Sequence, residues 1–362
     1  MERFLALELE SLGCSGCEIV SGGVLYKGSL PSAMNLCLWS RQANKVLLLL
    51  AQGYVKNEAG VYDLGKKIDF SRWLNVDYTF CVRTHLNDNH FKNSHFLSLK
   101  LKDAIVDQMR EKSGMRPNVD TENPDVAFSL QIISGRARIF IELQGDSLNR
   151  RGYRRKHLEA PLRESLAASM LAFSGWDNAP LMDPMCGSGT IAIEAALKAS
   201  CTAPGIQRKF GFERWPIFPT FADEWQKMRT DARAMRRPVD FPIIASDIDP
   251  EAIETARRNA QTAGVDQYIQ FKVCDVLDTQ PFAQGGTVIM NPPYGERLDA
   301  GDPELCELYY QMGRHFRNFK GHTLTILSFA ELLKKKLHLK PDERIKVFNG
   351  PLECEVARYD IF

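Results

Sequence analysis

The sequence lacks an apolar run long enough to cross a membrane, and it lacks the cysteine pattern of a zinc site or a disulfide framework. The longest apolar run, Val46 to Ala51, is far shorter than the roughly 20 residues that a spanning helix needs. Of nine scattered cysteines, only Cys14 and Cys17 form a CxxC pair, and no second pair or His pair follows at zinc spacing. We therefore expect free thiols, no metal site and a reducing compartment, the cytoplasm.

The sequence also lacks a charge excess, and its first residues do not predict a secretory leader. Its 46 Lys and Arg residues are balanced by 45 Asp and Glu residues, so that the net charge is +1. A basic surface must therefore be local. The start of the chain mixes apolar and acidic side chains, unlike the basic start and apolar core of a signal peptide. Length and composition are typical of a soluble globular protein of two or three domains.

Two small α+β modules are predicted before residue 149. Residues 1–65 alternate short apolar runs with turns, carry a hairpin signal at 21–23 and show no catalytic set. Residues 66–148 form the second module, with strand patterns at 78–82, 126–133 and 137–143.

A helix pattern from 94 to 108 lies within the second module. Its buried face is predicted to hold Phe96, Leu99, Ala104, Ile105 and Met109. The cations of this module suit either a solvated face or a nucleic-acid footprint. They are Arg83, Lys92, Lys100, Lys102, Arg136 and Arg138.

A basic linker at 149–160 joins these modules to the rest of the chain. Five of the seven residues from 150 to 156 are cationic, with one aromatic residue among them. Cations that contact phosphates and a ring that stacks on a base are typical of RNA-binding segments. The predicted RNA-binding residues are therefore Arg150, Arg151, Tyr153, Arg154, Arg155 and Lys156. The alternative is an exposed linker that its charges keep solvated.

Residues 161–362 alternate strand and helix patterns, which predicts a doubly wound α/β domain with a parallel sheet. A helix pattern at 160–173 leads into this domain. Residues 203–238 exceed an ordinary crossover and are rich in aromatic residues, so we expect an insertion that either packs over the site or binds substrate. Strand patterns lie at 180–182, 241–245, 268–273, 288–290, 323–329 and 345–348.

Polar residues follow four of these strands, at the edge where an open α/β sheet binds its ligands. They are Asp183, Asp247, Asp275 and Asn291. The loop at 187–190 has no Lys after its second glycine and no third glycine, which disfavours a nucleoside triphosphate or a dinucleotide. Asp247 suits ribose hydroxyls, Asp275 suits an adenine amino group, and an acidic pocket suits a sulfonium. S-adenosylmethionine is the cofactor that fits, although each Asp alone also suits a helix cap or a turn.

The residues Asn291, Pro292, Pro293 and Tyr294 follow an apolar strand and form the predicted catalytic site. Each proline fixes φ and removes a backbone donor, so that the carbonyls here only accept. Asn291 adds an amide and Tyr294 adds a flat face. The Asn291 side chain and a backbone carbonyl can accept the two N–H groups of a planar NH2 group. The Tyr294 ring can stack on the π-system that carries this NH2 group. The alternative is a proline-rich turn after a strand.

Several motifs resemble those of known methyltransferases. DPMCGSGT, SDIDP, CD and NPPYGERL resemble the motifs of amino-methyltransferases with an NPPY-type site. Together with RPNVD, QGDSLNRRGYR, APLRESLAA and NGPLEC, they resemble the bacterial 23S rRNA guanine-N2 methyltransferase family over nearly the whole chain. The resemblance implies a ferredoxin-like segment, a THUMP RNA-binding domain and a Rossmann-like methyltransferase domain. Some members carry a second methyltransferase domain, so this chain resembles a shorter member or a part of a longer protein.

The resemblance also implies roles for individual residues in cofactor binding. Asp183, Gly187 and Gly189 hold the methionine end of the cofactor, Asp247 its ribose and Asp275 its adenine. The implied cofactor-binding set is completed by Met185, Thr190, Ile248 and Asn291. Met185 stands where the family usually has Phe, and both residues fill an apolar place.

The substrate that the resemblance implies is the exocyclic N2 amine of a guanine in 23S rRNA or in a pre-ribosomal particle. Asn291 and the Pro292 carbonyl take the amino hydrogens, and Tyr294 stacks on the base. The base leaves its stack to reach the pocket. The THUMP domain and the basic linker grip the RNA by shape and phosphate, and no metal is needed.

Other substrates suit the same catalytic stretch. Adenine N6 in DNA, a tRNA guanine and a protein Gln amide each present a planar NH2 group. The RNA-binding character of the N-terminal modules disfavours DNA and protein, which leaves a tRNA guanine-N2 methyltransferase as the main alternative. A second alternative is a non-catalytic RNA-binding protein with a vestigial methyltransferase fold, which the intact loop and catalytic stretch disfavour. The loop likewise disfavours an NAD(P)-dependent oxidoreductase.

Overall fold

The computed structural model describes residues 1–154, 162–294 and 302–362, whose strands form sheets of two, five and seven strands. No helix within these ranges is both long and apolar enough to cross a membrane. The N-terminal module consists of α1 (Glu2–Ser11), β1 (Ser15–Val20), β2 (Gly23–Lys27) and α2 (Leu30–Trp39). Its strands β1 and β2 pair in an antiparallel hairpin, as predicted around 21–23.

A five-stranded sheet with helices on one face follows. Its elements are β3 (Leu47–Tyr54), α3 (Glu58–Gly65), β4 (Thr79–Asn87), α4 (Ser94–Ser113), β5 (Asn118–Val119), β6 (Val126–Ile133) and β7 (Arg136–Glu142). The strand order is β3-β7-β6-β4-β5. This order corrects the module boundary predicted at residue 65, because β3 pairs with β7 and belongs to the second sheet.

Side chains that alternate toward α3 and α4 form the core of this sheet. Phe128 and Leu130 of β6 and Ile139 of β7 are fully buried, in one cluster with Leu101 and Ile105 of α4. Burial of a side chain of this size contributes about 1.5–3 kcal/mol. The sheet therefore has one face fixed by apolar packing.

The buried face of α4 differs from the prediction at its N-terminal end. Ala104, Ile105 and Met109 are buried as predicted. Phe96 and Leu99 are exposed, so the prediction was wrong for these two residues. Other leucines of α4 take their place in the core, because tertiary packing fixes which stripe of the helix faces the sheet.

The described residues from 162 onward form a seven-stranded sheet with a separate apolar core on each face. The elements are α5 (Glu164–Phe173), β8 (Leu181–Asp183), α6 (Thr190–Ala199), α7 (Ala222–Ala234), β9 (Ile243–Asp247), α8 (Pro250–Ala263), β10 (Ile269–Val273), β11 (Gly286–Met290), α9 (Pro303–Phe316), β12 (His322–Ser328), α10 (Ala330–Lys335), β13 (Glu343–Asn349) and β14 (Leu352–Ile361). The strand order is β10-β9-β8-β11-β12-β14-β13; β8 to β12 run parallel, and β14 is antiparallel to both of its neighbours. The predicted α/β fold class is confirmed, although β14 was not predicted.

The aromatic insertion at 203–238 packs against the N-terminal modules. Phe210, Phe212 and Trp225 are buried in one core with Leu143, which follows β7. The Phe212 ring lies 5.5 Å from the Phe210 ring and 5.0 Å from the Trp225 ring, centroid to centroid. These side chains therefore join the two halves of the molecule, whereas the sequence predicted a role over the site or in substrate binding.

Candidate functional site

The four polar residues predicted at strand ends lie along one edge of the seven-stranded sheet. Asp183 ends β8 and Asp247 ends β9, whereas Asp275 and Asn291 follow β10 and β11. These strands are neighbours and run parallel, so their carboxyl ends share an edge. The Gly187 N–H donates to Asp247 Oδ2 at 2.9 Å, which ties the loop after β8 to the end of β9.

The loop after β8 depends on its glycines. Gly187 and Gly189 have φ of +51° and +82°, in the left-handed region that glycine adopts without strain. A Cβ on Gly189 would lie 2.9 Å from the Cβ of Ala256, so glycine also lets α6 begin close against α8. Asn259 of α8 donates to the Ser188 carbonyl at 3.0 Å. The loop thus places the first N–H groups of α6, which have no partner within the helix, beside the strand ends.

The Asp183 carboxyl group is buried and poorly satisfied by the protein. It is 1% exposed, and no hydrogen bond of good geometry from the described residues reaches either oxygen. Burial raises the pKa of Asp183 well above its ordinary value, the charge of Asp247 adds to the rise, and the backbone N–H of Met185 offsets only part of it. A buried carboxyl group without a partner is costly, and folded proteins rarely retain one. Asp183 is therefore suited to a cation or a hydrogen-bond donor of a ligand.

Asp247 keeps acceptor capacity that the protein does not use. Its Oδ1 accepts the Asp249 N–H at 3.1 Å, and each carboxylate oxygen has a second lone pair. The next residue, Ile248, is 66% exposed, and Val273, the register partner of Asp247, is 59% exposed. Apolar side chains beside an available carboxylate suit a ligand with a flat ring and hydroxyl groups. The sequence did not indicate Val273 as a ligand-binding residue. Its only signal is that it is apolar and occupies the last position of β10.

Other residues of the predicted cofactor set have partners within the protein. Asp275 Oδ1 accepts the Leu277 N–H at 2.9 Å and caps a short turn, as the alternative interpretation of the aspartates predicted. Thr190 Oγ1 accepts a hydrogen bond from Arg154 at 2.7 Å. Met185 is half-buried against the core on the α9 side of the sheet. These three residues lie at the same edge of the sheet. They have fewer free hydrogen-bonding groups for a ligand than Asp183 and Asp247 have.

The stretch from Asn291 to Pro293 is positioned by α9 and β12. Asn291 Oδ1 is buried and has no hydrogen-bond partner among the described residues. Pro292 is also buried. Tyr309 of α9 donates to the Pro293 carbonyl at 3.4 Å, and its hydroxyl lies 2.5 Å from Ser328 Oγ at the end of β12. The protein thus holds the backbone of this stretch while leaving the Asn291 acceptor available.

The Tyr294 ring is held at its edge and at its hydroxyl. Asn349 donates to the Tyr294 hydroxyl at 3.2 Å, and the ring packs edge-on against Phe329 with centroids 5.3 Å apart. Burial raises the pKa of Tyr294, so the phenol stays neutral. Sequence analysis missed Tyr309, Phe329 and Asn349 as supports. Asn349 opens the NGPLEC stretch, which was the one available signal.

Two of the predicted RNA-binding residues of the basic linker lie inside the protein. Arg151 and Tyr153 are buried, and both contact Glu194 of α6. Arg151 Nε lies 3.4 Å from Glu194 Oε1, and the Tyr153 hydroxyl donates to the same oxygen at 3.2 Å. A buried carboxylate needs such partners, and they draw a cation and a phenol inside. The prediction that Arg151 and Tyr153 contact RNA is therefore corrected, since both side chains are enclosed by the protein.

The remaining cations of the linker differ in exposure. Arg150 is exposed. The Arg154 side chain is 11% exposed and donates to the Leu162 carbonyl at 3.0 Å in addition to Thr190. Arg154 therefore connects the linker to the first residue of α6, next to the glycine loop. Arg155 and Lys156 lie outside the described residues.

Three family models match successive parts of the chain. Residues 151–358 match the family described as RMKL-like, methyltransferase domain. Residues 55–142 match the THUMP domain, and residues 1–47 match the RlmL ferredoxin-like domain. The order of the three matches is the order that the sequence resemblance implied.

Individual relatives are similar over nearly all of the chain. The ribosomal RNA large subunit methyltransferase K/L of Shewanella frigidimarina (strain NCIMB 400) is 39% identical over 368 residues, which is 99% of this chain and 51% of the relative. The chain thus spans about half the length of the curated relatives it matches.

Solved structures extend the comparison to the fold. A protein from Clostridium difficile 630, described as a possible methylase, has a TM-score of 0.89 at 31% identity, with 99% of this chain and 95% of that chain covered. SMU.472, whose structure is a complex with SAH, has a TM-score of 0.87 at 28% identity, with the same shares covered. Because the match at 151–358 includes more than half of the residues, the chain belongs to the family of RMKL-like methyltransferase domains.

Proposed function

We propose that the protein uses S-adenosylmethionine to methylate the exocyclic N2 amine of a guanine in 23S rRNA. The observation that carries this proposal is a pair of buried acceptors without partners among the described residues, the Asp183 carboxyl group and Asn291 Oδ1. They lie at the ends of neighbouring strands, β8 and β11. One suits the cationic end of a cofactor and the other suits a substrate amine. The name of the 39% identical relative and the THUMP match support rRNA as the substrate.

The residues at the sheet edge fit S-adenosylmethionine. Asp183 offers a buried acceptor for the amino group of the methionine end. Asp247 has lone pairs available for the ribose hydroxyls, and Ile248 and Val273 offer exposed apolar surface for the adenine ring. SAH, which is bound to the similar SMU.472, is the product that this cofactor leaves after methyl transfer. When bound, the cofactor supplies an electrophilic methyl group.

The residues after β11 prepare the substrate amine. The lone pair of guanine N2 is conjugated with the ring, so the amine is a weak nucleophile. Asn291 Oδ1 and the Pro292 carbonyl accept its two N–H groups, which leaves the lone pair available for attack. Tyr294, held by Asn349 and Phe329, provides a face for the base. Positioning of this kind supplies up to about 7–11 kcal/mol.

The reaction needs no strong base. Methyl transfer forms a bond between guanine N2 and the methyl carbon and breaks the S–C bond of the cofactor. The nitrogen then releases one proton to water, because the cationic amine formed first is strongly acidic. The buried acceptors therefore act by orientation.

A guanine N2 in tRNA is the second candidate substrate. The THUMP match supports RNA binding without selecting the RNA. A non-catalytic protein with a vestigial fold is disfavoured, because buried acceptors without partners lower stability and serve no purpose in the absence of a ligand.

Methyl transfer from labelled S-adenosylmethionine to protein-free 23S rRNA and, in parallel, to total tRNA tests the proposal. Nucleoside analysis is expected to find N2-methylguanosine in the rRNA alone. The same nucleoside in tRNA alone would move the assignment to the second candidate, and N6-methyladenosine would contradict the guanine assignment. The Asn291→Ala protein, purified identically, controls for contaminating methyltransferases.

A further inference from the structure

The outer face of the five-stranded sheet is open to solvent at the end that holds Tyr54 and Arg136, whereas Phe140 and Glu142, farther along the same face, are buried. Strand alternation turns Tyr54, Arg83, Arg136 and Arg138 away from α3 and α4, and each of these side chains is exposed or half-buried. Tyr54 of β3 is the register partner of Arg136 of β7. The next row across the sheet joins Arg138 to Gln131 of β6 and to β4. The face is therefore a continuous surface across four strands.

The charge of this outer face is positive. It carries Arg83, Arg136 and Arg138, against one carboxylate, Glu142. Glu142 is buried and already bound, by Lys45 at 2.9 Å and by Arg83 at 3.3 Å. Arg136 and Arg138 have no carboxylate partner among the described residues. Two guanidinium groups thus remain for phosphate groups, which they bind strongly.

The outer face also offers surfaces that suit unpaired bases. Tyr54 is 77% exposed, and its ring centroid lies 5.4 Å from the Arg136 guanidinium. Gln131 and His85 stand opposite each other on adjacent strands and offer hydrogen-bonding groups. Gln131 Oε1 accepts a long hydrogen bond from Arg138, at 3.5 Å, so its amide N–H groups are what it offers to a base. Aromatic and guanidinium planes bind the faces of single-stranded bases, whereas a duplex keeps those faces stacked inside.

The lysines of α4 lie on the helical side of the sheet and not on the outer face. Lys102 Nζ lies 2.7 Å from Asp103 Oδ1, and Lys100 Nζ lies 5.2 Å from the centroid of the Phe96 ring. The cations of this module therefore form two sets, one on each side of the sheet. Lys100 and Lys102 provide a control of equal charge for Arg136 and Arg138.

We propose that the outer face of the five-stranded sheet binds a single-stranded segment of RNA. This proposal rests on the proposed function, because it states the form in which the RNA substrate is gripped. The two arginines without carboxylate partners favour a polyanion over a protein partner. The structure thus assigns the RNA contacts to the sheet and not to Arg151 and Tyr153.

Fluorescence anisotropy with an unstructured, mixed-sequence RNA of about 12 nucleotides, without cofactor, tests this assignment. The Arg136→Ala/Arg138→Ala protein is expected to bind at least about tenfold more weakly, with a salt slope of log K reduced by about 1.4. Lys100→Ala/Lys102→Ala is expected to change the affinity by less than about twofold. Tyr54→Ala should weaken binding without changing the salt slope, and Tyr54→Phe should restore it, since stacking needs only the ring.

Unchanged affinity in the double arginine variant, or an equal loss in the double lysine variant, would overturn the proposal. Equal affinity for a blunt RNA duplex of the same length would overturn its single-stranded part. A change in self-association on sedimentation in the Tyr54→Ala protein, with RNA affinity retained, would assign the face to a second copy of the chain. The assay contains no cofactor, so a failure of methyl transfer and a failure of this binding proposal are read separately.

Discussion

Asp183 and Asn291 are two residues at the carboxyl edge of the seven-stranded sheet whose buried acceptor atoms have no partner among the described residues. Each buries acceptor atoms that the described residues do not satisfy, at the ends of strands that pair with each other. In a folded protein such atoms cost stability unless a ligand binds them. The unsatisfied acceptors of Asp183 and Asn291 therefore lower the stability of the ligand-free protein. This cost is consistent with a site that binds a cofactor and a substrate amine.

Asp183→Asn should stabilise the cofactor-free protein. The folded pKa of Asp183 is raised, so the folded protein keeps a proton that the unfolded chain releases above about pH 3.9. The wild-type protein therefore loses stability as the pH rises from that value toward the folded pKa, whereas Asn does not ionise and lacks this loss. At neutral pH and without cofactor, we expect the free energy of unfolding of the Asp183→Asn protein to exceed that of the wild-type protein by about 1–3 kcal/mol.

The same substitution should weaken S-adenosylmethionine binding by about tenfold or more, because a hydrogen bond to a charged group is lost. Urea unfolding across the pH range and titration calorimetry measure the two effects. Asp278→Asn, at an exposed position beyond β10, is the matched control and should change neither. Lower stability of the Asp183→Asn protein without cofactor would contradict the account of this residue.

At the scale of single residues, polar side chains at the ends of strands are easier to predict from the sequence than buried charges are. An apolar run marks the strand before Asp183 and Asp247, so the pattern is local. Arg151 lies in a run of charges that suggests exposure. Its partner Glu194 is 43 residues away, in a helix that is mostly apolar, and no local pattern joins the two.

Among the elements, α6 connects the basic linker to the site. Arg151→Ala should lower the free energy of unfolding by about 3–5 kcal/mol, because Glu194 is then left buried without its cation. Arg150→Ala, one residue away and exposed, should change it by less than about 0.5 kcal/mol. Urea unfolding of both proteins makes the comparison, and two equally small effects would contradict the internal position of Arg151.

The strand β14 shows which elements the sequence could not give. Patterns at 323–329 and 345–348 predicted β12 and β13, within a parallel sheet. β14 lies between them, runs antiparallel to both, and carries Glu353, Glu355, Arg358 and Asp360, so it does not resemble a buried strand. Its place depends on pairing with distant segments and on ion pairs such as Lys334 to Glu355 at 3.1 Å.

For the whole molecule, the aromatic insertion at 203–238 joins the N-terminal modules to the seven-stranded sheet. Phe212→Ala should lower the free energy of unfolding of the N-terminal modules by about 3–5 kcal/mol, because a fully buried ring is removed. The affinity for S-adenosylmethionine should change by less than about twofold, since the strand ends pack on separate cores. Thermal unfolding and calorimetry measure these effects.

Met235→Ala, at an exposed position of the same insertion, is the control for Phe212→Ala and should leave the melting temperature nearly unchanged. A loss of cofactor affinity in the Phe212→Ala protein would show that the insertion supports the site after all. The sequence indicated the insertion by its length and aromatic content. It could not indicate its position, because the contacts of Phe212 with Leu143 and Trp225 form only in the folded chain.

The rate of a single turnover of methyl transfer by Asn291→Ala, at saturating S-adenosylmethionine and RNA, tests directly whether Asn291 orients the substrate amine. We expect a rate lower by about 10²–10³, because one preorganised acceptor is lost, with cofactor affinity unchanged. An unchanged rate, or a lower rate that follows only from lost cofactor affinity, would contradict the role of Asn291 as the acceptor that orients the amine.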